Sequence, residues 1–234
     1  MTKHEQFILT EMADMMEEIV FACKAVPAGI EAFAVNDYIF QTLFMKMTGF
    51  QEQKMKCICW ELATDDFEFR RDYMQQAGGL GEMSTAESKK YVYKHLVEIV
   101  KKRMNTFDPT TDIDKAGIVA KVKANVAKSF EKSPLTETNM REYQEFSSIY
   151  DRYFTPDYFA TNDTELLAGN LVNIYDRLYK HRNRCAHNAL SYQQNLPSLK
   201  QLASNEIVYE SYYVRYALLL LIDELVISIY KKLI

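Results

Sequence analysis

The stretch ELLAGNLVNIYDRLYKHRNRCAHN, Glu165–Asn188, decides the fold reading. Successive residues of an α-helix turn by about 100°, so a helix through this stretch gathers Leu171, Ile174, Tyr175, Leu178, Cys185 and Ala189 into one apolar stripe. Alternation of the kind a half-buried strand needs is absent. Asn162-Asp163-Thr164 supplies residues suited to cap such a helix, and Pro197 lies in the polar loop that follows it. Arg182 falls on the apolar stripe, midway between Leu178 and Cys185. Lys180, Asn183, Arg184 and His187 share another face, with His187 about 140° from Arg182 if the helix stays regular.

The same periodicity runs outward in both directions. Glu5–Lys24 places Phe7, Ile8, Met12, Met15, Met16, Ile19 and Val20 at helical spacing, with Thr2 or Thr10 available as a cap. After the break at Pro27-Ala28-Gly29, a long pattern runs from Glu31 to about Gln76. Phe33, Tyr38, Phe40, Leu43, Phe44, Met47, Met55, Ile58, Cys59 and Leu62 mark it, and Gly49 is expected to kink or divide it. Gly78-Gly79-Leu80-Gly81 reads as a hinge. Ser84-Thr85-Ala86-Glu87 starts a helix to about Met104, with Val92, Leu96, Ile99 and Val100 inward. A loop follows from Phe107 to Asp114. Two helices come next, Ala116–Phe130 and Glu137–Tyr153, the second marked by Met140, Tyr143, Phe146, Ile149 and Tyr150, and Thr155-Pro156-Asp157 opens a short element. From Ile207 to Ile234 the chain is apolar nearly all round, as expected of a helix at the centre of a core or at an interface, in either case packed against the Arg182 helix. We therefore expect an all-α chain, one helical domain over 1–234, with long N-terminal helices in 1–78, middle helices in 82–155, and the motif helix, loop and apolar last helix in 157–234.

Composition narrows the function classes. The chain has 234 residues, is 48% hydrophobic and 26% charged, and carries a net charge of −4, which argues against a surface built to coat duplex nucleic acid. A small basic site remains compatible with that balance, because field focusing is local. The four cysteines, Cys23, Cys57, Cys59 and Cys185, form no C-x-x-C pair, and the four histidines are scattered. A zinc site is not expected, and free buried thiols suit a reducing cytosol, so the expected location is cytoplasmic. The charged segment Met1–Glu18 does not read as a signal peptide, and the longest apolar run, Tyr216–Ile222, is far short of the ~20 residues of a membrane span.

Chemistry concentrates at Arg182-Asn183-Arg184-Cys185-Ala186-His187-Asn188, where an Arg and a His stand five positions apart beside Lys180 and His181. This resembles the R-x4-6-H signature of the HEPN superfamily, helical proteins that are often metal-independent ribonucleases. Arg182 and His187 fill the two defined positions, and Asn183 is the polar residue that often follows the Arg. The resemblance covers roughly the last third of the chain with some specificity and the rest in fold class. It implies an HEPN-like antiparallel bundle with additional N-terminal helices and a dimer with a composite site. The implied reaction is cleavage of RNA without metal or cofactor, leaving a 2′,3′-cyclic phosphate. A role as toxin or defence effector with an antitoxin or regulatory partner is implied by the family alone. Some HEPN toxins carry a Tyr two residues after the His. Here that position is Ala189, so an antitoxin that modifies such a Tyr is not expected.

The residues suit that chemistry. RNA brings its own nucleophile, the 2′-hydroxyl. His187 can take its proton near neutral pH, and Arg182 can brace the phosphoryl oxygens as charge builds. Asn183 can orient the His or bind phosphate, Lys180 and Arg184 can hold the RNA backbone, and Tyr192 can stack on a base. A guanidinium on an apolar stripe is costly unless paired. A structural ion pair with Asp223, Glu224, Glu61 or Asp65 is therefore the competing explanation of Arg182, and a helix-end histidine that satisfies the last carbonyls is that of His187. Two other functions fit the same sequence: a non-catalytic helical module for dimerisation or partner docking, and a nucleotide or nucleic-acid binder that does not cleave.

Overall fold

The structure, a computed structural model, describes residues 1–25, 32–80, 82–131, 133–187 and 211–234. Among them the chain forms ten α-helices: α1 Lys3–Leu9, α2 Met12–Ala22, α3 Phe33–Asp65, α4 Phe67–Leu80, α5 Ala86–Arg103, α6 Lys115–Phe130, α7 Pro134–Thr138, α8 Met140–Tyr153, α9 Asn170–His187 and α10 Tyr212–Tyr230. The described residues contain no strand, only an isolated bridge between Phe159 and Leu167, so the all-α class is correct.

The apolar last helix is the centre of the fold. Along α10 every residue from Tyr213 to Tyr230 except Ser228 is buried, and α2, α3, α5, α6, α8 and α9 pack around it. Burial of side chains on all sides removes apolar surface from water around the whole circumference, at ~25 cal/mol per Å². An aromatic cluster fixes its start: Phe40 and Phe130 stack 5.9 Å apart and Tyr213 stands edge-on to both, while the Tyr216 hydroxyl donates to the Phe40 carbonyl at 2.7 Å. Buried residues from Ile8 to Tyr230 belong to one hydrophobic cluster.

Several boundaries differ from the sequence reading. The expected Glu5–Lys24 helix is two helices, because an ion pair deep in the fold captures the backbone between them. The Met12 N–H donates to Asp223 at 2.9 Å and the Thr10 carbonyl accepts from Lys54 at 2.6 Å, leaving Thr10 extended. Thr2 does cap α1, in a reciprocal box with Glu5. Gly49 does not divide α3, which runs unbroken from Phe33 to Asp65. The division falls at Asp66, whose extended backbone ends α3 and whose carboxylate caps α4 by accepting from the Phe69 N–H at 2.9 Å. Gly78 and Gly79 lie inside α4 rather than in a hinge. Tyr38, expected inward, is 68% exposed, and Met140 is exposed as well. Asn139 splits the expected Glu137–Tyr153 helix into α7 and α8. Thr85 caps α5 as its position predicts, accepting from the Ser88 N–H. The Pro27–Gly29 break and Gly81 lie outside the described residues.

Candidate functional site

The motif helix α9 starts later than its sequence suggests. Asn162 does not cap it. Its side chain instead closes a turn, accepting from the backbone of Thr164 and Glu165 at 2.8 and 2.9 Å. The chain then folds back, with Ala160 N donating to the Leu166 carbonyl and Ala168 N to the Tyr158 carbonyl. Gly169 turns into the helix with φ +55°, where a Cβ would lie 2.9 Å from the Tyr158 ring. From Asn170 the helix runs unbroken to His187. Leu171, Ile174, Tyr175 and Leu178 are buried, as the stripe requires.

Arg182 continues that stripe into the protein and meets a carboxylate. Its Nη2 lies 3.1 Å from Glu52 Oε1 and 3.2 Å from Oε2, Glu52 being presented by α3. The four partners expected from sequence are all occupied elsewhere. Asp223 binds Lys54 at 2.5 Å, Glu224 binds Lys121 at 2.8 Å, Glu61 binds Thr2 and His4, and Asp65 binds Arg103. Arg182 is 20% exposed and Glu52 12%, so the pair sits at the edge of the interior. Among the described residues the Arg182 Nη1 makes one long contact, 3.4 Å, with the Asn183 side chain.

A small chamber lies against the pair, where Thr48, Gln51, Glu52, Lys89, Tyr175 and Arg182 share the wall with apolar Leu178 and Leu219. Lys89, from α5, is buried and donates to the Met83 carbonyl at 2.9 Å. Burial pushes its ammonium down to about 7, and Arg182 adds to the effect while Glu52 opposes it. The Tyr175 hydroxyl donates to the Ser84 carbonyl at 2.7 Å, and burial raises its pKa.

The next turn of α9 builds a second polar cluster beside the start of α10. His181 Nε2 lies 3.2 Å from the Tyr212 hydroxyl and 3.4 Å from Cys185 Sγ, and its ring packs on Phe44. Burial, with the positive charges of Arg215 and Arg184, pushes its pKa down to about 3, so it is neutral at physiological pH. Cys185 is pushed up by burial and stays a thiol. Arg215, buried on α10, spreads its guanidinium over the rings of Tyr212 and Phe44 at 5.1 and 5.9 Å.

Of the residues singled out by sequence, the structure brings Arg182 and Asn183 together. Lys180 is exposed and Arg184 is half-buried with its Nε unpartnered. His187 closes α9, at a position about 140° round the helix from Arg182. Its side chain and all of Tyr192 lie outside the described residues. Among the described residues no group of three His, Cys, Asp or Glu could hold a metal ion, and no helix is long and apolar enough to cross a membrane. Of the four cysteines only Cys59 is buried.

The sequence reading missed Glu52, Gln51, Lys89 and Arg215. Each had a signal, a polar residue at a core position of a helix. Gln51 lies four residues from both Met47 and Met55, Lys89 three before Val92 and seven before Leu96, and Arg215 within the apolar run of α10. Which of them meets Arg182 was not in that signal. Family models, curated proteins and solved structures were compared with the chain, and none matches.

Proposed function

We propose that this chain is a metal-independent endoribonuclease of the HEPN type, acting as a toxin or defence effector. One observation carries the reading: Arg182 is anchored to Glu52 through Nη2 alone. Its Nη1 forms no ion pair with a carboxylate among the described residues and lies 3.4 Å from the Asn183 side chain, on the helix that ends at His187. A guanidinium fixed at one nitrogen and uncommitted at another is pre-organised to donate to a phosphoryl oxygen. In this mechanism His187 removes the 2′-hydroxyl proton of RNA, the 2′-oxygen attacks the adjacent phosphorus, and Arg182 Nη1 stabilises the charge that builds on the phosphoryl oxygens. The 5′-oxygen leaves with a proton, giving a 2′,3′-cyclic phosphate. The unbroken helix separates positions 182 and 187 by about 140°, which favours a two-fold dimer in which Arg182 and His187 act across the interface and the second His187 serves as the acid. Lys180 and Arg184 hold the RNA backbone, and Tyr192 stacks on a base.

The test is RNA cleavage by the purified chain in EDTA, beside His187→Ala and Arg182→Ala. Cleavage by the wild type alone, with cyclic-phosphate ends, supports the proposal. Equal cleavage by both variants overturns the site. The Arg182–Glu52 pair also favours a second reading, a non-catalytic helical module, because it satisfies the guanidinium without a substrate. A folded wild-type dimer that binds RNA or a protein partner and never cleaves would establish that reading instead.

A further inference from the structure

The chamber behind Arg182 has a volume of about 10 Å³, at the lower limit for holding one water molecule. Most polar groups on its wall are committed. Tyr175 donates to Ser84, Lys89 to Met83, and both Glu52 oxygens face Arg182 Nη2. Two buried atoms of the residues that line it have no hydrogen-bond partner among the described residues, Gln51 Oε1 and Arg182 Nε. The orientation of the Gln51 amide is fixed, because its other end meets the Leu219 carbonyl at 3.0 Å, and a carbonyl only accepts. Gln51 is fully buried, so its oxygen has no access to bulk solvent.

The two orphan atoms are complementary. Oε1 only accepts and Nε–H only donates, so a single molecule that bridges them must do both. A cation would face Arg182 and Lys89, and a halide would face the Gln51 oxygen and Glu52. Water meets neither objection and fits the space. We propose that one water molecule is bound in this chamber, donating to Gln51 Oε1 and accepting from Arg182 Nε–H, and that Gln51 is thereby a positioning residue for Arg182. The water site stands on these atoms alone; its catalytic consequence rests on the ribonuclease reading.

The first test is a high-resolution crystal structure of the full chain grown with bromide in place of chloride. The expected result is a density peak roughly 3 Å from both atoms without anomalous signal. An anomalous peak, or ordered side chains with no density between them, overturns the proposal. The second test follows the Arg182 Nε–H proton by NMR. In Gln51→Met its exchange with solvent should quicken roughly tenfold, and unchanged exchange in a folded variant would remove Gln51 from its role. If the chain cleaves RNA, Gln51→Met should lower kcat roughly tenfold with KM unchanged, since a misaimed guanidinium is felt in the transition state. A chain inactive on RNA sinks the ribonuclease reading but leaves the density and exchange tests standing.

Discussion

Arg182 of α9 and Glu52 of α3, 130 positions apart in the chain, form an ion pair in which one guanidinium nitrogen faces both carboxylate oxygens at 3.1 and 3.2 Å. The pair ties the motif helix to the longest helix at the point where the apolar stripe ends. Removing either partner leaves a mostly buried charge alone. We expect Glu52→Ala to cost about 2 kcal/mol, below the 3–5 kcal/mol of a fully buried pair because Arg182 keeps some exposure. The double variant Arg182→Ala/Glu52→Ala should cost less than the sum of the two singles. A urea-denaturation cycle measures the coupling, and strict additivity would mean the two charges do not stabilise each other.

The Lys54–Asp223 pair should matter more to stability. It is almost wholly buried, and each partner also holds backbone of the α1–α2 junction, Lys54 the Thr10 carbonyl and Asp223 the Met12 N–H. Burial draws Lys54 down and Asp223 up, and their mutual contact opposes both shifts. Lys54→Met should cost about 3–5 kcal/mol. Hydrogen exchange should show α1 and α2 losing protection ahead of α10. A loss spread evenly over all three helices would contradict a local role at this junction.

Acid sensitivity should trace in part to His181. Its folded pKa, about 3, lies below the ordinary value of 6.5. The unfolded chain therefore binds the proton more readily than the folded one between those values. The stability this site contributes is complete above pH 6.5 and is lost as pH falls toward 3. At pH 5 the loss should be on the order of 2 kcal/mol. His181→Leu should flatten the fall of Tm between pH 7 and pH 5. An identical slope in the variant would show that His181 is not held neutral.

Gly49 offers a stabilising change. It lies within α3, and a Cβ there would meet nothing within 4 Å. Gly49→Ala lowers the entropy of the unfolded chain and improves helix propensity, so it should stabilise by about 0.5–1 kcal/mol and raise Tm. A lower Tm would indicate that the position needs a conformation or space peculiar to glycine.

The helices themselves were legible because their signal is local. The 3.6-residue spacing of Leu171, Ile174, Tyr175 and Leu178, the cap at Thr85 and the apolar circumference of α10 each lie within one segment. At the α1–α2 boundary the sequence misled because a distant group had intervened. Thr10 and Glu11 are helical by pattern but lie extended between α1 and α2, where Lys54 holds the Thr10 carbonyl and Asp223 the Met12 N–H, 44 and 211 residues away. Gly49 looks like a break by propensity, yet packing along α3 outweighs a penalty of ~1 kcal/mol.

By itself, then, the sequence determined that the chain is of the all-α class, that the last helix is apolar nearly all round, and that Arg182 stands on an apolar stripe and so requires a partner. Tertiary structure decided that the partner is Glu52 rather than Asp223, Glu224, Glu61 or Asp65, and that Lys89 and Gln51 wall the chamber behind it. The physical reason is that a helical repeat fixes which side of a helix a residue occupies. Which carboxylate a buried cation meets depends on the packing of α3 against α9, and every acidic residue at a core position competes for it.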